Sequence, residues 1–146
     1  MAQRPQLRLS HVTDNYDWGS LGEKAQVVDI GGGNGHVAVA LARQFGNLSV
    51  VVQDMEKVIE RCTVPEDLRG RIRFTVHDFF TSQPVHGADV YFFRLIFHNW
   101  SDKYCGMIIQ GLIPALKPGA RIIIQDMLMP VPGTVPLWRE KELRYV

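Results

Sequence analysis

Five apolar runs of strand length alternate with stretches patterned for helices, and this alternation constrains the fold more than any other property of the chain. The runs cover residues 26–30, 48–53, 71–76, 88–93 and 120–125 and are built mostly from Val, Ile, Phe and Tyr. Taken as largely apolar runs, they predict strands covered on both faces. Repeated β-α units of this kind predict a mainly parallel, doubly wound α/β sheet. Val37, Leu41 and Phe45 recur at four-residue spacing after the first run and predict a short helix with one apolar stripe against the sheet. Two more helices are predicted, over residues 55–62 and over residues 101–116. Ser101 or Asp102 can cap the second, and Pro114 should kink or end it early. Lys117-Pro118-Gly119 reads as the turn into the last run. A length of 146 residues suits one domain, divided into a connecting segment, 1–25, and a core, 26–146.

Sixteen Lys and Arg against 15 Asp and Glu leave a net charge of +1, so no global charge draws the chain to nucleic acid or to an anionic membrane. No apolar stretch reaches the ~18 residues of a membrane span, and Met1-Ala2-Gln3-Arg4-Pro5-Gln6 lacks the apolar segment of a signal peptide. Cys62 and Cys105 stand alone without C-x-x-C spacing, which argues against a disulfide scaffold and a zinc site. A cytoplasmic setting, no metal and a locally recognised partner are expected. Both ends look cut. Leu7, Leu9, Val12, Tyr16 and Trp18 have no evident cover in the chain and are expected to pack on an absent neighbour. The charged helical pattern from Trp138 to Tyr145 simply stops. If the fifth strand is the last, Ile122-Ile123-Ile124 forms an exposed apolar edge.

The sharpest local signal is Asp29-Ile30-Gly31-Gly32-Gly33-Asn34-Gly35, directly after the first strand and before the first helix. Glycines at 31, 33 and 35 allow positive φ and close approach of a ligand, and the helix that follows offers free N–H groups. A nucleotide-like cofactor is expected there, with a bland turn as the alternative. The dinucleotide pattern G-x-G-x-x-G would need glycine at position 36, where His36 stands, so nicotinamide binding is disfavoured. Asp54 closes the second strand, where a carboxylate can accept from both hydroxyls of a ribose or can cap the helix that follows. Asp78-Phe79 follows the third strand and suits an adenine, the carboxylate taking its amino group and the ring its face. Past the fourth strand, on the same sheet edge, lies Phe93-Arg94-Leu95-Ile96-Phe97-His98-Asn99-Trp100-Ser101-Asp102.

Together these segments resemble the S-adenosylmethionine-dependent O-methyltransferases of the caffeic-acid type. The string through His98 is similar to their L-K-x-x-x-H-D-W-S-D motif, and "HNWSDKYC" with "PALKPGARIII" has the wording of the fungal secondary-metabolite branch. The resemblance runs from about Tyr16 to Glu140. It implies a Rossmann-like methyltransferase fold, with S-adenosylmethionine held by Asp29, Gly31, Gly33, Gly35, Asp54, Asp78, Phe79 and Arg94. The acceptor it implies is a hydroxyl of a small aromatic compound, with His98 as general base. Imidazole is largely neutral at cellular pH, whereas a phenol titrates near ~10 and needs a base to become a good nucleophile. The resemblance also brackets the base with acids, the first at Asp126, where glutamate is more usual; the shorter side chain could instead cap the strand. Arg94 stands for a lysine and Asn99 for an aspartate. Also implied are two further strands, a helix lining the acceptor pocket and a helical dimerisation domain, none within this chain. An inert, cofactor-binding product that associates with a full-length homologue is the alternative reading. A nucleotide-dependent oxidoreductase is a remote third.

Overall fold

The computed structural model describes residues 8–144. Leu7 and Tyr145, both drawn into the reading of the termini, lie outside them. A five-residue helix α1 (Ser10–Asp14) leads into β1 (Ala25–Ile30), α2 (His36–Gln44), β2 (Leu48–Asp54), α3 (Glu56–Ile59) and β3 (Ile72–Val76). The chain continues through β4 (Val90–Arg94), a 3-10 turn at Phe97–Asn99, α4 (Asp102–Leu112), β5 (Arg121–Gln125) and α5 (Leu137–Arg144). The strands form one parallel sheet in the order β3-β2-β1-β4-β5. The doubly wound α/β architecture read from the apolar runs is therefore present. The strand order reverses direction between β1 and β4, and in such sheets the crevice outside the carboxyl ends at that point is where ligands bind.

Successive strand residues face opposite layers. Val27, Val50, Val52 and Phe92 pack with α1 and α2, through Val12, Val37 and Leu41, whereas Val28, Ile30, Val51, Tyr91 and Phe93 pack with α4 through Ile108 and Leu112. The stripe on α2 is the predicted one at Val37 and Leu41, buried with Ala38 and Ala42, while Phe45 is the C-cap just past the helix and packs partly buried on the same core. Several expectations need correction. Helix α3 has four residues rather than eight, ending before Cys62. Ser101 occupies the N-cap of α4, but its side chain makes no capping bond. Helix α4 gives way at Ile113–Ala115 to a 3-10 turn containing Pro114, as a proline lacking its N–H requires. Three strands are covered on both faces, not five, because β3 and β5 are the edges of the sheet. The unbroken Ile122-Ile123-Ile124 of β5 does not distinguish a central strand from an edge one, whereas in the run that forms β3 Arg71, Arg73 and Thr75 alternate with Ile72, Phe74 and Val76, a pattern that suits a half-exposed edge. The exposed edge foreseen at β5 is present: Ile122 and Ile124 are 38% and 51% exposed.

Among the described residues of the amino-terminal segment, Val12 and Trp18 are covered within the chain rather than by an absent neighbour. Trp18 is 1% exposed, meets Phe92 edge-on at 5.8 Å and donates its indole N–H to the Val12 carbonyl at 2.8 Å. Tyr16 packs edge-on against Trp18 at 4.9 Å, and Leu9 lies against the same cluster. Removing the indole donor while keeping a ring, as in Trp18→Phe, leaves the buried Val12 carbonyl without that partner. The expected cost is about 1–2 kcal/mol of unfolding free energy, read from a urea titration.

Candidate functional site

The turn after β1 meets the sequence expectation in its backbone: Gly31, Gly33 and Gly35 have φ of 71°, 59° and 79°. Gly32 is required for a different reason. A Cβ there would lie 2.6 Å from Asp29 Oδ2 and 2.8 Å from Val52 Cγ1, so the loop can close over the Asp29 carboxyl only without a side chain. At Gly33 a Cβ would meet nothing within 4 Å, so this part of the turn faces open space.

Asp54, at the end of β2, accepts from Gly33 N at 2.9 Å through Oδ2 and from Met55 N at 2.7 Å through Oδ1. It ties the glycine turn to the neighbouring strand, and each oxygen keeps a lone pair for a further donor. It does not cap α3, whose N-cap is Met55 and has no side-chain capping bond. Asp78 accepts from Phe80 N at 3.0 Å, fixing the turn after β3. A cavity of about 180 Å³ gathers Gly31, Asp54, Met55, His77, Asp78, Phe79 and Ile96. Four of these residues, Gly31, Asp54, Asp78 and Phe79, are among those expected from the sequence to hold a cofactor. Met55, His77 and Ile96 were not singled out in the sequence, because an exposed methionine after a strand, a lone histidine and one isoleucine in an apolar string carry no motif. Met55 is 55% exposed, an apolar side chain at the cavity rather than in the core. Burial draws the His77 imidazole below its ordinary value, opposed by the Asp78 charge.

The other four expected cofactor residues, Gly33, Gly35, Asp29 and Arg94, are not in the lining of this cavity; a Cβ on Gly35 would lie 2.7 Å from Phe74 Cζ, against the sheet. Asp29 is 1% exposed beneath the glycine turn, its Oδ2 has no hydrogen-bond partner among the described residues, and burial pushes its carboxyl up to about 7 against the opposing pull of Arg94. Arg94 donates Nε to Gln125 Oε1 at 3.0 Å and does not line the cavity. Burial lowers its guanidinium from the ordinary value, and the Asp29 charge opposes this.

His98 and Asp126 come together at the mouth of the same sheet edge. Asp126 Oδ1 lies 2.5 Å from His98 Nδ1, and Oδ2 accepts from His98 N at 3.1 Å. When the ring is neutral, an ionised carboxylate at Nδ1 selects the tautomer in which Nδ1 donates and Nε2 is the acceptor. The two side chains are 21% and 14% exposed, which leaves the ring reachable. Asp126 Oδ1 also accepts from Met127 N at 2.9 Å, so the carboxylate joins β5 to the turn carrying His98. Phe79 and Trp100 meet edge-on at 6.1 Å and Phe80 and Trp100 at 4.7 Å, forming an aromatic flank that connects the cavity to this turn. Among the described residues no three His, Cys, Asp or Glu side chains converge at metal-ligand spacing, and no helix is long and apolar enough to cross a membrane.

A glycine turn, two strand-end carboxylates and an apolar cavity at the switch point of a parallel sheet, beside a histidine–carboxylate pair, define a nucleoside-cofactor domain of the methyltransferase class. More narrowly, the chain belongs to the O-methyltransferase domain family, whose model matches residues 1–142. It is 46% identical over 143 residues to the O-methyltransferase VdtC of Byssochlamys spectabilis, covering 93% of this chain and 33% of that protein. It is 42% identical over 144 residues to the 6-hydroxytryprostatin B O-methyltransferase of Neosartorya fischeri, covering 99% and 34%. Among solved structures it is similar to OxaC in complex with sinefungin and meleagrin, with a TM-score of 0.73 at 32% identity, covering 90% of this chain and 36% of that one. It is also similar to LepI in complex with S-adenosylmethionine, with a TM-score of 0.70 at 34% identity, covering 95% and 34%. The chain spans about a third of the length of the curated relatives it matches.

Proposed function

We propose that this chain is the cofactor-binding core of an S-adenosylmethionine-dependent O-methyltransferase acting on a hydroxyl of a small aromatic metabolite, with His98 as the general base. One observation carries the reading: the cavity floored by Gly31 and walled by Asp54, Asp78 and Phe79 opens at the same sheet edge as a histidine whose Nδ1 is already engaged by Asp126. The cavity suits the cofactor. Asp54 keeps free lone pairs for a ribose diol, Phe79 and Met55 offer apolar surface to a base, and Gly33 leaves open space where a side chain would project.

When bound, S-adenosylmethionine supplies an electrophilic methyl group. The remaining work belongs to the chain. Asp54 and the glycine turn orient the cofactor's ribose and methionine ends. Asp126 holds the imidazole in the tautomer with Nε2 free, so that Nε2 can take the acceptor's hydroxyl proton, and it then sits against the imidazolium that results. A second reading from the sequence is a cofactor-binding partner without transfer activity of its own.

Calorimetric titration with S-adenosylhomocysteine and with NAD tests the cofactor, and preference for NAD would defeat the proposal. Methyl transfer to a panel of phenols then separates the two readings. Gly33→Val places a β-branched residue at φ of 59° in the open face of the turn. It is expected to weaken S-adenosylhomocysteine binding by about tenfold or more in the same titration.

A further inference from the structure

The turn that carries His98 begins on a strained residue. Leu95 directly follows β4 and has φ of 56°, in the left-handed region where the Cβ of an L-residue crowds its own backbone. Among the described residues only Lys24 shares this feature outside glycine. Side-chain packing does not explain the conformation: Leu95 belongs to neither core cluster, whereas its neighbours Ile96 and Phe97 both pack on the second one. The backbone, by contrast, is tied down. Leu95 N donates to Gln125 O at 2.9 Å, and Arg94 Nε donates to Gln125 Oε1 at 3.0 Å, so the chain is fixed to β5 one residue before Asp126. The reversal then sends two side chains to two destinations. Ile96 lies against Gly31, whose notional Cβ would be 2.5 Å from Ile96 Cδ1, and lines the cavity. His98 lands on Asp126.

We propose that Leu95 is a positioning residue whose left-handed backbone sets Ile96 in the cofactor cavity and His98 on Asp126 within one turn, so that both halves of the site depend on a single φ angle. This rests on the reading of the cavity as the cofactor's and of His98 as the base. A right-handed or extended residue 95 would leave β4 in a different direction and displace both groups together. The requirement falls on φ and not on size. Glycine and asparagine, which enter the left-handed region readily, should replace leucine without loss, whereas an isoleucine of the same volume should not.

The test uses Leu95→Gly, Leu95→Asn and Leu95→Ile in the chain, with two readouts: the ¹⁵N shifts of the His98 ring, which report the tautomer, and calorimetric affinity for S-adenosylhomocysteine. The glycine and asparagine variants are expected to keep the Nδ1–H tautomer and to bind within about twofold of the unaltered chain, while Leu95→Ile mixes the tautomers and binds about tenfold more weakly. Leu95→Ile matching the unaltered chain in both readouts overturns the proposal. So does loss of either readout in Leu95→Gly, or movement of only one readout in Leu95→Ile. Should Leu95→Ile not fold, the glycine and asparagine variants decide, since retention of both readouts in residues so much smaller than leucine supports the φ requirement and their loss removes it. Absence of S-adenosylhomocysteine binding in the unaltered chain would instead count against the cofactor reading, and the tautomer would still report on Leu95.

Discussion

Replacing His98 with alanine is expected to lower methyl transfer to a phenolic acceptor by about 10²- to 10⁴-fold, the range that a positioned general base contributes, while S-adenosylhomocysteine affinity changes by no more than a few-fold. The split follows from where the side chain sits. His98 does not line the cavity that Gly31, Asp54, Asp78 and Phe79 enclose, so its removal leaves the cofactor's contacts in place. What is lost is the bare Nε2, the only acceptor that the pairing of Nδ1 with Asp126 leaves on the ring. The measurement is initial-rate transfer of a labelled methyl group, beside calorimetry on the same preparation. A variant that transfers at the unaltered rate sinks the base assignment. One that loses transfer and binding together would mean that the turn has collapsed. Asp126→Asn serves as the companion. An amide keeps the shape but can present a donor to Nδ1, so a share of His98 adopts the tautomer with Nε2 protonated, and transfer falls without loss of binding.

Much of this site was legible in the sequence because glycine is the residue that accepts positive φ without penalty. Three spaced glycines between an apolar run and a helical stripe specified the turn, and the acid closing each of the next two strands had to lie on the same edge, because parallel strands share a carboxyl end. Legibility ended where non-local packing decides the outcome. Trp18 looks uncovered in the sequence because its cover, Phe92, lies 74 residues away on β4. The run at Ile122 to Ile124 resembles a central strand, since hydrophobicity reports burial potential and not sheet order. Asp126 could be matched to a position but not to a contact. Its two bonds to His98 depend on how the chain leaves β4, and the residue responsible, Leu95, is one that no propensity places in the left-handed region. The bond of Arg94 to Gln125, its cross-strand partner on β5, was likewise invisible, since it depends on which strand pairs with β4.

The pH dependence of stability gives the second large effect, and Asp29 sets its sign. Its carboxyl is pushed from an ordinary 3.8 to about 7, chiefly by burial, with Arg94 opposing and Asp54 adding to the rise. A raised acid binds its proton in the folded chain at pH values where the unfolded chain has already lost it, so unfolding releases a proton and stability falls as pH rises. Below pH 3.8 both states are protonated and the group contributes no penalty; the loss accumulates between there and about 7 and levels off above. Three orders of magnitude in proton affinity correspond to about 4 kcal/mol at most, and structural relaxation around the ionised group lowers the figure to about 2–4 kcal/mol. Asp29→Asn removes the titration while keeping the volume beneath Gly32. Its melting curve should run close to that of the unaltered chain near pH 4 and lie above it by about 2–4 kcal/mol near pH 8. The difference between the two chains isolates Asp29 from acids held low in the folded state, such as Asp89 beside Lys117, whose contribution has the opposite sign. A difference curve flat from pH 4 to 8 would mean that Asp29 stays ionised beneath the turn. The unpaired Oδ2 would then be matched by a cation, and Arg94, the charged neighbour that already favours its ionised form, is the group that could supply it.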